Sequence, residues 1–115
     1  MTLDDVVSRL EAAGFCGIEA DGGVVYARIA AQAPEFRAEA REAGWRLVLP
    51  WNVRPLDAAM AEWNARMGRA RMEVMAGEAA LVMPFGDLAQ WAALAAEAEA
   101  HFIRWRRARR PAEGM

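Results

Sequence analysis

The chain has 115 residues, of which 56% are hydrophobic, and this length and composition predict one folded domain and exclude global disorder. Its 14 basic residues, all arginine, oppose 16 acidic residues, and the net charge of −2 disfavours binding of nucleic acid over the whole surface. One cysteine and one histidine exclude an internal disulfide and a Cys/His zinc site.

The beginning of the chain gives no targeting signal. Asp4 and Asp5 stand where a signal peptide requires basic residues, and no apolar run approaches the roughly 20 residues that span a bilayer. The single cysteine is typical of a protein from a reducing compartment. We therefore expect a cytoplasmic protein without a membrane partner.

The first 30 residues predict a helix and then a β-hairpin. Thr2 and Asp5 form the pattern of a capping box at the start of an amphipathic helix over residues 3–13. The hairpin that follows is predicted to turn at Asp21-Gly22, a dipeptide favoured in tight turns. With this register the alternation of the strand directs Cys16 to the buried face.

Two further segments precede the middle of the chain. Residues 35–43 fit a helix or a strand, but a helix would place like charges four residues apart, so extended structure is favoured. Residues 45–51 alternate between large apolar side chains and others, which predicts a half-buried strand that ends at a proline.

The second half predicts a helix, a hairpin and a last helix. Pro55 suits the first position of the helix and Gly68 its end. The predicted inner stripe of this helix consists of Leu56, Ala59, Met60, Trp63 and Met67. A second hairpin is predicted to turn at Ala76-Gly77, and Asp87 with Gln90 resembles a capping pair for the last helix.

These elements predict the α+β class, with an antiparallel sheet and helices packed on one face in the order α-β-β-β-α-β-β-α. One additional extended segment near residue 38 is left open. Residues 1–103 carry a net charge of −6, whereas residues 104–115 carry +4. We therefore assign residues 1–103 to a single α+β domain and residues 104–115 to a basic C-terminal tail that continues the last helix.

Few residues could carry catalysis. The chain has one Ser, one Thr, one Cys and one Tyr, and neither a nucleophile elbow nor a glycine-rich phosphate loop accompanies them. His101 lies at the edge of the apolar stripe of the last helix, which favours a histidine at the rim of the core over a catalytic base. We expect no enzyme, no catalytic residue, no metal and no cofactor. A site around His101 and Cys16 is the enzymatic alternative.

The aromatic and sulfur-containing residues are more informative, since the chain has five tryptophans and seven methionines. Trp63 and Trp91 are predicted core residues, whereas Trp51 and Trp105 near element ends fit the core or a surface equally. Exposed tryptophan and adaptable methionine are typical of protein-binding surfaces. The candidate partner-binding residues are Trp51, Met60, Trp63 and Trp105.

An arginine cluster marks the end of the chain and has two interpretations. It consists of Arg104, Arg106, Arg107, Arg109 and Arg110. These charges favour the end of a helix through its dipole and aid solubility. Alternatively they contact an anionic partner, with Trp105 available for stacking. The acidic remainder of the chain favours the first interpretation.

One stretch resembles a known family. Trp63-Asn64 is followed by Arg66-Met67-Gly68-Arg69-Ala70 and then by a hairpin with Met72-Glu73-Val74 in one strand and Ala79 to Val82 in the other. With the size and element order, the stretch from Trp45 to Phe85 resembles the YbjN family, which shares the fold of the type III secretion chaperones (CesT-like). The resemblance implies a homodimer that holds segments of client proteins and has no catalytic residues.

We therefore expect a small non-enzymatic protein-binding module, a homodimer that binds an extended or amphipathic segment of a client protein. An open sheet edge near residues 36–50 would pair with a strand, or an apolar groove would accept a helix. The alternative is a nucleic-acid-associated factor that uses the C-terminal arginine cluster.

Overall fold

The computed structural model describes residues 1–114, with side chains as far as Arg106. Arg107, Arg109 and Arg110 of the predicted arginine cluster therefore lie outside the described side chains. Within the described residues the elements are α1 (Leu3–Ala12), β1 (Cys16–Asp21), β2 (Val24–Arg28), β3 (Glu35–Arg41), β4 (Gly44–Pro50), α2 (Asp57–Met67), β5 (Arg71–Met75), β6 (Glu78–Pro84) and α3 (Leu88–Gly114). The α+β class is confirmed. The extended segment near residue 38 is a full strand, β3, so the chain has four strands before α2 rather than three.

The six strands form one antiparallel sheet in the order β1-β2-β3-β4-β6-β5. β4 pairs with β6 rather than with β5, although α2 and β5 lie between β4 and β6 in the sequence. The edges are therefore β1 and β5. The expectation of an open edge near residues 36–50 is wrong, since β3 is paired with β2 and β4, and β4 is paired with β3 and β6. Strand pairing is non-local, and the alternation within a segment does not reveal it.

The first hairpin differs from the prediction by one residue. Asp21 pairs with Val24, so the turn consists of Gly22 and Gly23, whose φ angles of 60° and 81° suit a two-residue type I′ turn. A bulge between Cys16 and Glu19 then shifts the register once more. Cys16 consequently pairs with Arg28 and is exposed, which corrects the prediction that it faces the core.

The second hairpin follows the prediction. Met75 pairs with Glu78, and the turn consists of Ala76 and Gly77, both with positive φ. The predicted register is confirmed by the pairing of Met72 with Leu81. Ala76 has a φ of 52°, a left-handed conformation that costs an L-residue free energy because of its Cβ atom.

The three helices pack on one face of the sheet, which we call the inner face. α1 lies over β1 and β2, α3 over β6, and α2 over β5. Trp63 and Trp91 are almost completely buried there, which confirms them as core residues. Other buried members of this core include Val6, Leu10, Val25, Phe36, Leu47, Leu49, Leu81, Met83 and Phe102. The strand faces opposite the helices form the outer face, which no helix covers in the part of the chain that the structure describes.

The helix starts show which capping predictions hold. Thr2 and Asp5 form the predicted capping box, and the carboxylate of Asp87 accepts a hydrogen bond of 2.9 Å from the backbone N–H of Gln90. Leu56, predicted in the inner stripe of α2, is instead the N-cap residue of α2 and is 79% exposed. Its extended backbone places it outside the helical periodicity on which that prediction depended. Within the described residues, no helix is both long and apolar enough to cross a bilayer.

Candidate functional site

The structure brings two of the four predicted partner-binding residues to a common surface. Trp51 directly follows β4, and Trp105 lies on α3; both are half-buried. Met60 and Trp63 on α2 lie in the core, with exposed fractions of 8% and 1%. Met60 and Trp63 therefore offer little surface to a partner in this conformation, whereas Trp51 and Trp105 each present part of an indole ring.

Trp51 and Trp105 belong to an aromatic cluster, which we define as Trp51, Trp63, His101, Phe102 and Trp105. The rings of Trp51 and Phe102 are stacked with centroids 4.7 Å apart, and Trp105 meets Phe102 edge to face at 5.4 Å. These are the preferred geometries for aromatic pairs. Because Phe102 is fully buried, it holds the two half-exposed tryptophans against a rigid support.

Positive charge borders this aromatic cluster. The guanidinium carbon of Arg106 lies 5.8 Å from the ring centroid of Trp51, within the range of a cation–π interaction. Ile103, on the same turn of α3 as Phe102, is 38% exposed. The indole nitrogen of Trp51 is buried and has no acceptor among the described residues. The surface thus combines the aromatic rings of Trp51 and Trp105 with the cationic group of Arg106.

His101 lies at the junction of α2 and α3. Its ring meets Trp63 edge to face at 5.2 Å, and Arg104 Nη2 lies 2.6 Å from His101 Nδ1. Burial, followed by the charges of Arg104 and Arg66, lowers the pKa of His101 below its ordinary value. The ring is therefore neutral at pH 7, and its Nδ1 atom accepts a hydrogen bond from Arg104.

The cavity beside His101 is small. It has a volume of about 50 Å³ and is lined by Ala59, Glu62, Trp63, Arg66, His101 and Trp105. Sites for small organic molecules have volumes of roughly 300–1,000 Å³. This cavity has room for water and not for a substrate, so the half-buried histidine occupies the rim position predicted from the sequence.

The structure does not bring the two residues of the enzymatic alternative together. Cys16 lies on the outer face of the edge strand β1, whereas His101 lies on the inner face beside α2, which covers the opposite edge strand. Among the residues that the structure describes, no three histidine, cysteine or acidic side chains are grouped as metal ligands. The His101–Cys16 alternative therefore lacks the proximity that a shared site would need.

The Trp63-Asn64 pair connects α2 to the edge strand β5. Trp63 Nε1 donates a buried hydrogen bond of 2.9 Å to the carbonyl oxygen of Ala70. Asn64 Nδ2 donates to the carbonyl oxygen of Met72 at 3.1 Å, and Asn64 Oδ1 accepts from the backbone N–H of Met72 at 2.7 Å. Both side chains thus satisfy backbone groups at the start of β5, and their observed contacts are structural.

The outer face carries charge above a small apolar cluster. Val48, Ala80 and Val82 are buried there, and Met75 packs against them. Arg37 Nη2 lies 3.9 Å from the sulfur atom of Met75, so these two long side chains meet next to the cluster. Val48 is therefore fully buried, and Val82 is 8% exposed, although no helix covers them in the described part of the chain.

An ion triad lies beside this apolar cluster. Glu39 is 3.1 Å from Arg37 and 2.6 Å from Arg46. Burial acts to raise the pKa of Glu39, but the hydrogen bonds from Arg46 and Arg37 outweigh it, so the pKa is lowered. Glu39 is therefore ionised at pH 7 and neutralises part of the charge of both arginines.

Sequence reasoning missed a second feature of the outer face, a cleft of about 430 Å³. It is lined by Arg41, Ala43, Gly44, Trp45, Arg46, Arg69, Arg71, Glu73, Val82 and Pro84. Arg41 and Arg71 are exposed residues of β3 and β5. The missing information was the order β4-β6-β5, which brings arginines distant in sequence to the same end of the sheet.

Comparison of the chain with protein-family models, curated proteins and solved structures gives no match. Two surfaces therefore represent the candidate sites on geometry alone. One is the inner-face surface formed by Trp51 and Trp105 with Arg106, and the other is the arginine-lined cleft of the outer face.

Proposed function

We propose that this protein is a non-enzymatic protein-binding module that binds an apolar segment of a client protein at the surface formed by Trp51 and Trp105. The observation that carries the proposal is the support of these two half-buried tryptophans by the buried ring of Phe102, with Arg106 alongside. Following the resemblance to the YbjN family, the module acts as a homodimer. No covalent step is required.

The composition of this surface matches that of binding hot spots. Tryptophan and arginine are enriched among the residues that contribute most to protein–protein affinity, and they act best beside well-packed neighbours. Since Trp51 is already held by Phe102, and Trp105 by Phe102 and His101, little side-chain entropy remains to be lost on binding. The surface is therefore preorganised for an apolar side chain of a partner.

The charges indicate which segment would bind. Arg66, Arg104 and Arg106 lie on the same part of α2 and α3 as the aromatic cluster. Residues 104–115 carry a net charge of +4. Complementarity then favours a client segment whose apolar residues are flanked by aspartate or glutamate, and such charges accelerate association. Salt should therefore slow binding more than it speeds dissociation.

Addition of a client strand to the sheet is less favoured. The edge strand β1 contains a bulge, and the edge strand β5 is five residues long with exposed Arg71 and Glu73. Bulges, short length and charged side chains are features that protect sheet edges from pairing. The surface at Trp51 and Trp105 therefore supports client binding better than either edge.

The test is affinity capture of the tagged full-length chain from its native cell extract, with and without nuclease. The expected result is a protein partner at near-equal amount that survives nuclease and is retained by Trp45→Ala but lost by Trp51→Ala. Trp45 is the matched control, because it is also half-buried but lies at the start of β4, whereas Trp51 follows the end of β4. Arg106→Glu, an exposed change that should leave the fold intact, should weaken capture as well.

Three outcomes would contradict this proposal. The first is equal loss of the partner by Trp45→Ala and Trp51→Ala, which would indicate loss of folding and not of a surface. The second is a partner that disappears on nuclease treatment, which would shift the function to the nucleic-acid alternative and the C-terminal arginine cluster. The third is unchanged capture by both Trp51→Ala and Arg106→Glu.

A further inference from the structure

We propose that the arginine-lined cleft of the outer face binds the phosphate groups of a small organic polyphosphate. The cleft lies at the end of the sheet where the turn between β3 and β4 approaches the start of β5. It is on the opposite face from the surface formed by Trp51 and Trp105, so this inference does not depend on the proposed function.

Positive charge in the cleft is not balanced by carboxylates. Arg41, Arg69 and Arg71 form no ion pair with any carboxylate of the residues whose side chains are described. Arg46 is paired with Glu39, and Glu73 is the acidic residue of the lining. The chain as a whole is acidic, with 16 acidic residues against 14 arginines. Three unpaired arginines around one concave surface therefore create a local positive field that a multiply charged anion would neutralise.

The chemistry of arginine suits phosphate. The guanidinium group presents its donors in a planar fork that matches two oxygen atoms of a phosphate, and the group stays charged at every physiological pH. Arg46 of β4 is the register partner of Pro84 in β6, and Arg71 of β5 is the register partner of Val82 in β6. Neighbouring strands lie about 4.8 Å apart, so the unpaired Arg71 and the Glu39-paired Arg46 lie on strands roughly 10 Å apart on either side of β6.

The size and the floor of the cleft indicate the kind of ligand. Its volume of about 430 Å³ exceeds that of a single phosphate and lies within the range of small-molecule sites. Val82 and Pro84 of β6 supply an apolar floor. Arginines around an apolar floor suit a ligand with several phosphate groups attached to a flat organic part.

The experiment is calorimetric titration of the full-length protein in phosphate-free buffer with three probes: inorganic pyrophosphate, adenosine triphosphate and a single-stranded DNA oligonucleotide. Pyrophosphate and adenosine triphosphate should bind at one site per chain. Arg71→Gln should weaken both by at least about tenfold, because a charge-assisted hydrogen bond is lost. Arg9→Gln is the matched control, since it removes the same charge from an exposed position on α1 and should leave both affinities unchanged.

The adenosine part sharpens the test. If the apolar floor contributes, adenosine triphosphate should bind more tightly than pyrophosphate, and Val82→Thr should reduce that difference. Three results would overturn the inference: no binding of either phosphate probe at millimolar concentration, equal weakening by Arg71→Gln and Arg9→Gln, or tight binding of the oligonucleotide alone. The last result would indicate a nucleic-acid surface with a strong salt dependence instead of a small-molecule site.

Discussion

The inner and outer faces of the same sheet are built in different ways. The inner face buries Trp63, Trp91 and Phe36 beneath the helices. Its polar contacts satisfy backbone groups, as the hydrogen bond from Trp63 to the carbonyl oxygen of Ala70 does. The outer face buries Val48, Ala80 and Val82, next to Arg37 and Met75, and carries exposed arginines. Alternate residues of one strand therefore face a helix-covered apolar core on one side and a charged, uncovered surface on the other.

The largest effect should come from the inner face. Trp63→Ala removes a side chain that is 1% exposed together with its hydrogen bond to Ala70, so we expect a loss of about 3–5 kcal/mol in the free energy of unfolding. Urea unfolding followed by circular dichroism would measure it. Trp105→Ala, at a half-buried position, should reduce the free energy of unfolding clearly less. Equal losses for the two variants would contradict the division between a core and a surface tryptophan.

The next effect concerns the attachment of β5 to α2. Asn64→Ala leaves both backbone groups of Met72 without the side chain that pairs them, which should destabilise the protein by about 1–3 kcal/mol. Amide hydrogen exchange should report faster exchange at Met72 than in the wild type. Asn52→Ala, at an exposed position, is the control and should change stability by less than about 0.5 kcal/mol. Unchanged exchange at Met72 would show that Asn64 does not hold this strand.

A smaller effect is expected on the outer face. Glu39→Gln weakens the ion triad, which is partly screened by solvent. We therefore expect the free energy of unfolding to fall by about 0.5–1 kcal/mol at pH 7. Because the pKa of Glu39 is lowered on folding, its stabilisation is present above the ordinary carboxyl pKa of 4.5 and is lost as the pH falls through the folded value. Unfolding curves from pH 7 to acid should therefore converge for wild type and variant. A constant difference at every pH would exclude this ionic contribution.

The smallest effect should be a gain in stability from a substitution in the second hairpin turn. Ala76 adopts a φ of 52°, and asparagine tolerates that conformation better than alanine does. Ala76→Asn should therefore stabilise the protein by about 0.5 kcal/mol. Thermal unfolding would detect the change, with Ala31→Asn at an exposed position as the control. A lower melting temperature for Ala76→Asn would argue against the left-handed conformation of this residue.

The local features of the fold were predictable where neighbouring residues determine them. The second hairpin follows from its alternation and the two-residue turn at Ala76-Gly77, and the capping box of Thr2 follows from its spacing. The first hairpin was wrong by one residue because Gly22-Gly23 accepts positive φ more readily than Asp21-Gly22. The bulge after Cys16 then reversed the face of that residue, and alternation alone gives no signal for a bulge.

The candidate sites were predictable only in part, because both depend on contacts between distant segments. The sequence identified Trp51 and Trp105 as residues at element ends but could not show that Phe102 supports both. The arginine-lined cleft requires the pairing of β4 with β6, two strands that α2 and β5 separate in the sequence. Clusters of this kind arise from topology, and residue spacing within one element does not encode topology.

The proposed function depends on binding of the partner through Trp51. The most direct measurement is the dissociation constant of the captured partner for the wild type, Trp51→Ala and Trp45→Ala by isothermal titration, with folding of each variant checked by circular dichroism. We predict that Trp51→Ala raises the dissociation constant at least about tenfold, as expected for a hot-spot residue, whereas Trp45→Ala changes it by less than about twofold. Equal affinities for a folded Trp51→Ala and the wild type would contradict the claim.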